Sequence, residues 1–148
     1  MAKNYYAEIN LHINWHVKNN APLLTPEVEA LVHHYIRGRC TNTAGVYFHE
    51  IGGIETHLHV VASVAPTILI SEFIGHLKGS SSHEANQKFG QKILDWQAGY
   101  GVVSFGTKDL AWVIDYVRNQ RQHHSAGTAI DRLERINMPE QVADGADG

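Results

Sequence analysis

From Ala7 to Val17 the chain alternates: Ala7, Ile9, Leu11, Ile13, Trp15 and Val17 are apolar, and Glu8, Asn10, His12, Asn14 and His16 between them are polar. A period of two is that of a β-strand with one buried face. Taken alone, its polar side reads as solvated; with other groups converging on His12 and His16 it becomes the floor of a site. The period then changes. Thr25-Pro26-Glu27 offers an N-cap, a proline at the first helical position and an acid near the positive end of the helix dipole. Val28, Leu31, Val32, Tyr35 and Ile36 follow at helical spacing as far as Gly38, a stripe able to pack on a sheet. After a loop over Thr41 to Gly45, Val46 to Ile51 reads as a second strand. Gly52-Gly53 reads as a hairpin turn using positive φ, and an apolar third strand carries His57 and His59 and ends by Pro66.

The second half is less regular. Ser71-Glu72 can cap a helix with Phe73, Ile74 and Leu77 inside, and Lys78-Gly79-Ser80-Ser81-Ser82 reads as a donor-rich loop or helix end. His83 to Gln97 suggests one more short helix, with Trp96 returning the chain to the sheet, and Gly99 to Phe105 is a fourth strand. Thr107 caps a helix expected to run unbroken through Gln120 to His124 or Ser125, with Leu110, Val113, Ile114 and Val117 inward. Tyr116 and Gln120, four residues apart, share one flank of that stripe. A short helix over Thr128 to Ile136 completes a single α+β domain of residues 1–136. Residues 137–148, rich in Gly, Ala and Asp, read as a disordered acidic tail.

Composition adds limits. The 148 residues and 43% hydrophobic content suit one core. No apolar run approaches a membrane span, no secretion signal opens the chain, and Cys40 is alone; a cytoplasmic protein without disulfides is expected. The formal charge of −3 argues weakly against nucleic-acid binding, but Glu140, Asp144 and Asp147 lie in the tail, leaving a neutral body. Eleven histidines supply potential metal ligands.

His57 and His59 stand two apart on a strand, so both imidazoles point one way and can grip a metal ion, although an isolated His-x-His more often faces partial solvent. Likewise Tyr116 beside an apolar stripe reads by itself as a core-edge residue, Gln120 as a surface glutamine, and His123-His124 as helix-end residues favoured by the dipole.

Three pieces coincide in order and spacing: His57-Leu58-His59, Trp96-Gln97-Ala98-Gly99-Tyr100-Gly101, and Tyr116-Val117-Arg118-Asn119-Gln120-Arg121-Gln122-His123-His124. Together with Ile13-Asn14-Trp15 and Leu77-Lys78-Gly79-Ser80-Ser81 they resemble the single-tyrosine HUH transposases of insertion sequences of the 200/605 type, over most of residues 5 to 125. The pattern departs at Thr56, directly before the first histidine, where many relatives have an acid or asparagine.

The resemblance implies a ferredoxin-like, RRM-like HUH fold: a central antiparallel sheet of four to five strands, helices mainly on one face, and the tyrosine on a C-terminal helix. It implies Tyr116 as nucleophile and His57, His59 and Gln120 as ligands of Mg²⁺ or Mn²⁺; by ligand preference two histidines favour Mn²⁺ or a later metal. His123 and His124 stay outside that set. Lys78, Arg118, Arg121, His12 and Asn14 are the candidate DNA contacts. The implied activity is cleavage and rejoining of single-stranded DNA through a 5′-phosphotyrosine, with hairpin recognition at element ends, by a homodimer in which the tyrosine helix can complete the partner's histidine pair. Two other readings stand beside it: a non-catalytic ferredoxin-like single-strand-binding module, and a domesticated nickase of repeat hairpins.

Overall fold

The alternating segment forms an inner strand, β1 (Asn10–His16), of a four-stranded sheet completed by β2 (Val46–Ile54), β3 (His57–Val64) and β4 (Gly101–Phe105). The order is β2-β3-β1-β4 and all neighbours are antiparallel. A computed structural model describes residues 4–137 of the chain, so the expected tail lies, but for Asn137, outside the described residues. Register pairs Trp15 with Leu58, Ile13 with Val60, and Leu11 with Ala62. This apolar face meets α1 (Pro26–Thr41) through Val28, Val32, Ile36 and Cys40, and α2 (Ile70–Phe89) through Phe73, Ile74, Leu77 and Ala85, in one core. The two longest helices thus cover one face, as the helical stripes require.

The opposite face is not solvated. It is covered by α3 (Leu110–Arg118), α4 (Gln120–Ala126) and α5 (Asp131–Glu134), and a second cluster of Val61, Val113, Tyr116, Val117 and Leu133 seals it. Asn10, His12 and Asn14 are at most 3% exposed. The solvated reading of the β1 polar side fails because its period reports which side chains are apolar and not what covers the others.

Three local expectations are corrected. The Lys78–Ser82 run and the segment to Phe89 are not a loop and a separate helix but the middle and end of the 20-residue α2, which stops at Gly90. Ser80 and Ser82 hydroxyls bond carbonyls one turn back, and Ser81, fully buried, bonds Lys78 O and accepts from Trp96 Nε1, so their polar groups are satisfied inside the helix. Gly52 and Gly53 are not the turn; they lie within β2, neither at positive φ, and Glu55-Thr56 makes the reversal. A Cβ on Gly52 would meet the Val117 carbonyl carbon at 2.9 Å, with its oxygen closer still. The glycine is needed so that α3 can lie on the strand. Finally, the tyrosine helix is interrupted at Asn119 (φ −105°, ψ 32°), whose side-chain amide bonds the Asp115 carbonyl at 2.9 Å, dividing it into α3 and α4.

Candidate active site

β3 sends His57, His59 and Val61 to the same face as His12, Asn14 and His16 of β1, because these residues pair across the register: His12 with Val61, Asn14 with His59, His16 with His57. The result is a buried imidazole cluster. His57 and His59 are 3% and 0% exposed, with ring centroids 5.0 Å apart. His16 stacks on His57 at 4.6 Å, and its ring is anchored by Asn20 Oδ1 at 2.7 Å.

Each member of the pair has a partner for its Nδ1. His59 Nδ1 lies 2.8 Å from His12 Nε2, and His57 Nδ1 lies 3.1 Å from Thr56 Oγ1. Such contacts set ring orientation and tautomer, leaving Nε2 as the working atom. The threonine at the divergent position therefore has a place in the site. Burial, followed by the neighbouring His59, lowers the His12 pKa to about 3. Burial lowers that of His59 to about 4 against the opposing pull of Glu134. Both rings are neutral, as metal ligands and their supports must be.

α3 and α4 bring Tyr116 and Gln120 over this cluster in the same chain. Tyr116, 2% exposed, has its ring 6.3 Å from that of His59 and is stacked by His123 at 4.6 Å. Gln120 is 1% exposed; its Nε2 bonds Tyr116 O at 3.3 Å and its Oε1 lies 3.1 Å from His124 Nε2. Their four-residue spacing keeps the two on one side across the break at Asn119.

Glu134 lies outside every motif of the sequence. Its Oε1 lies 3.1 Å from both His57 Nε2 and His59 Nε2 and 3.2 Å from His124 Nε2, and its Oε2 accepts a short hydrogen bond from the Tyr116 hydroxyl. The hydroxyl in turn accepts from Ile130 N at 2.8 Å. Burial, then the Glu134 bond, pushes the Tyr116 pKa up to about 12. Burial would raise the Glu134 carboxyl, but the His57 and His59 imidazoles and the Tyr116 hydroxyl against it prevail and hold it well below the usual carboxylate range. A lone glutamate in a four-residue helix near the terminus carries no spacing motif, so only the fold reveals it. His124, expected as a helix-end residue, belongs to the same group: His57, His59, His124 and Glu134 present donor atoms all within 4.8 Å of one another.

The residues fit a divalent cation. The Nε2 atoms of His57 and His59 are buried without a hydrogen-bond partner, since at 3.1 Å neither is aligned to donate to Glu134. Two imidazole nitrogen donors beside a carboxylate suit a transition ion better than a hard one.

The candidate DNA contacts divide into two groups. Arg118 Nε pairs with Glu50 at 2.9 Å, and Arg121 with Glu55 at 3.1 Å and Glu29 at 3.0 Å; their side chains are 62% and 55% exposed. Lys78, His12 and Asn14 are engaged internally. Lys78 Nζ donates to the carbonyls of Gln97 and Gly99, and Asn14 Nδ2 to those of Leu133 at 3.2 Å and Arg135 at 2.9 Å.

A family model described as "Transposase IS200 like" matches residues 5–120. The transposases for insertion sequence element IS200 of Salmonella typhimurium and Salmonella typhi are each 31% identical over 89 residues, 56% of this chain and 54% of theirs, so the match spans about half the length of those relatives. Among solved structures, a Deinococcus radiodurans R1 protein described as a candidate transposase superposes with a TM-score of 0.65 at 21% identity, covering 81% of this chain and 96% of its own. A REP-associated tyrosine transposase bound to a REP hairpin does so at 0.56 and 16% identity, covering 87% and 75%.

Proposed function

Because the chain belongs to the IS200-like transposase family, we propose that it is a metal-dependent strand transferase that cleaves and rejoins single-stranded DNA, with Tyr116 as nucleophile and a 5′-phosphotyrosine as intermediate. One convergence carries the reading: the Tyr116 hydroxyl and the Nε2 atoms of His57 and His59 all meet a single carboxylate, that of Glu134. An anionic group held there touches the nucleophile on one oxygen and the histidine pair on the other. A phosphodiester needs that same arrangement.

In the reaction Tyr116 gives up its phenolic proton as Oη attacks phosphorus, the bond to tyrosine forms, the P–O3′ bond breaks, and the leaving oxygen takes up a proton to become a free 3′-hydroxyl, so no net proton is gained or lost. Attack by another 3′-hydroxyl reverses the step and rejoins DNA without an external energy source. His57, His59 and Gln120 would hold Mg²⁺ or Mn²⁺, which when bound neutralises phosphate charge and orients its oxygens. His12 and Thr56 orient the two imidazoles. With its pKa near 12, Tyr116 is about 10⁻⁵ ionised at pH 7, so the glutamate-bonded arrangement stores the nucleophile as phenol.

Arg118 and Arg121 are assigned to the DNA backbone, because their guanidinium groups lie at the surface and a phosphate can take the place of a carboxylate partner. His12 and Asn14 support the site from within, whereas Lys78 ties α2 to the Gln97 and Gly99 carbonyls on the other side of the sheet. The REP-hairpin complex of a fold relative supports a hairpin as the recognised form. A homodimer is assigned by resemblance, each subunit carrying Tyr116 beside its own histidines unless α3 and α4 exchange. Among the described residues no helix is long and apolar enough to cross a membrane. A DNA substrate places the work at the nucleoid, in the cytoplasm of a bacterial or archaeal cell.

The test is incubation of wild type and Tyr116→Phe with single-stranded hairpin oligonucleotides and Mn²⁺ or Mg²⁺, followed by denaturing electrophoresis. Wild type forms a denaturant-resistant protein–DNA adduct and the variant does not. No adduct across a panel of hairpins refutes the transferase reading.

A further inference from the structure

Glu134 stands where three imidazoles and the nucleophile meet, and the fold spends several interactions on putting it there. Asn14, 1% exposed on the inner strand β1, donates from one amide nitrogen to the carbonyls on either side of it, those of Leu133 and Arg135. Leu133, also 1% exposed, fills the cluster formed by Val61, Val113, Tyr116 and Val117. Arg132 donates to Ser104 O of β4 at 2.7 Å, and Ile130 N to the Tyr116 hydroxyl. A four-residue helix with these anchors is docked, and its one inward acid is aimed.

The groups gathered around Glu134 are of the kinds that bind metal ions. A largely buried carboxylate is surrounded by three imidazoles and a phenol, and among the described residues neither lysine nor arginine pairs with it. A buried anion is held by hydrogen-bond donors, by a cation or by both. The two imidazole Nε2 atoms that flank it at 3.1 Å are likewise buried and donate to nothing. A carboxylate oxygen and three imidazole nitrogens, all within 4.8 Å of one another, make a donor set that could hold one ion.

We propose that Glu134 is a metal ligand of the DNA-free protein, sharing the ion with His57, His59 and His124, and that the scissile phosphate takes its place when DNA binds. The inference rests on the metal-dependent reading above. A carboxylate presents two charge-bearing oxygens on one atom, as a phosphodiester presents its two non-bridging oxygens, and the two groups cannot occupy one space. Bound glutamate therefore does three things: it completes the shell, keeps the Tyr116 proton in place, and excludes the substrate phosphate until residues 128–137 withdraw.

The experiment is titration of the purified full chain with Mn²⁺, read by calorimetry and by the electron paramagnetic resonance signal of free Mn²⁺, for wild type, Glu134→Gln, Glu134→Asp and Glu55→Gln. Glu55 is an exposed acid near the site that controls for loss of charge alone. Without DNA, Glu134→Gln should weaken Mn²⁺ binding by about 10-fold or more, as loss of a ligand or its close support does. Glu134→Asp should recover part of the loss and Glu55→Gln should match wild type, all with unchanged far-ultraviolet circular dichroism. Repeating the titration with a single-stranded hairpin oligonucleotide should bring wild type and Glu134→Gln within about 3-fold of each other. Equal Mn²⁺ affinity of these two without DNA, or failure of wild type to bind Mn²⁺, overturns the ligand assignment. A gap that persists with the oligonucleotide overturns the displacement. The titration without DNA does not depend on cleavage, so it separates failure here from failure of the transferase reading, which shows as absence of adduct.

Discussion

Replacing Gly52 by alanine tests whether the position of Tyr116 is set by backbone contact between β2 and α3. The new Cβ would lie 2.9 Å from the Val117 carbonyl carbon and nearer to its oxygen, whereas ordinary van der Waals contact begins at 3.4 Å. The obstacle is main chain on both sides, so no rotamer change relieves it, and the helix must retreat by about 1 Å to clear the oxygen. Val117 adjoins Tyr116 and lies three residues before Gln120, so both move with it. Overpacking of this kind costs about 1–3 kcal/mol, a fall in Tm of roughly 2–9 °C for a domain of this size. A nucleophile displaced by about 1 Å loses on the order of 100-fold in rate. The assay is the initial rate of covalent adduct formation beside a thermal melt. Gly75→Ala is the control: the site is exposed within α2, with nothing within 4 Å of the added atom. There the exchange should stabilise by about 0.5–1 kcal/mol and leave the rate alone. Gly52→Ala with a rate within twofold of wild type and an unchanged melt would refute the backbone-contact account.

Two further outcomes follow from the buried polar face. His12 and His59 have folded pKa values near 3 and 4 against about 6.5 when unfolded, so the unfolded chain takes up protons first as pH falls. Metal-free protein should hold its full stability above pH 6.5 and lose about 1.4 kcal/mol per pH unit for each histidine between there and pH 4; denaturant midpoints that stay flat over this window contradict the neutral, buried assignment. Asn14→Ala removes both bonds to the carbonyls flanking Glu134, so amide hydrogen exchange at Ile130 and Leu133 should speed markedly while α1 and α2 keep their protection. Uniform change across the chain would mean that Asn14 stabilises the sheet rather than the α5 segment.

Periodicity located β1, α1 and β3, because there one apolar face meets one core and the repeat is uninterrupted. It misplaced the run of serines in α2, whose loop-favouring side chains find carbonyls inside the helix and a buried partner in Trp96. It misread Gly52-Gly53 because a glycine required by a neighbouring backbone looks, in sequence, like a glycine required by a turn. Of the candidate site, the grouping of His57, His59, Tyr116 and Gln120 was legible through spacing and family pattern. That of Glu134 and His124 was not: nothing local sets them apart, and they meet only because α5 folds back across the sheet to a strand more than 100 residues earlier.

Gly101 offers a way to recognise that folding back without a structure. A side chain there would collide with the Arg135 carbonyl and would meet Asn14 Nδ2 at 2.7 Å, so the residue is small because a distant stretch of backbone crosses it. A homologous protein with a bulky residue at this position could not lay its C-terminal segment down in the same way, whatever its own last residues are. Position 101 thus records, ahead of the segment itself, whether a given relative has room to cover its histidines with its own chain.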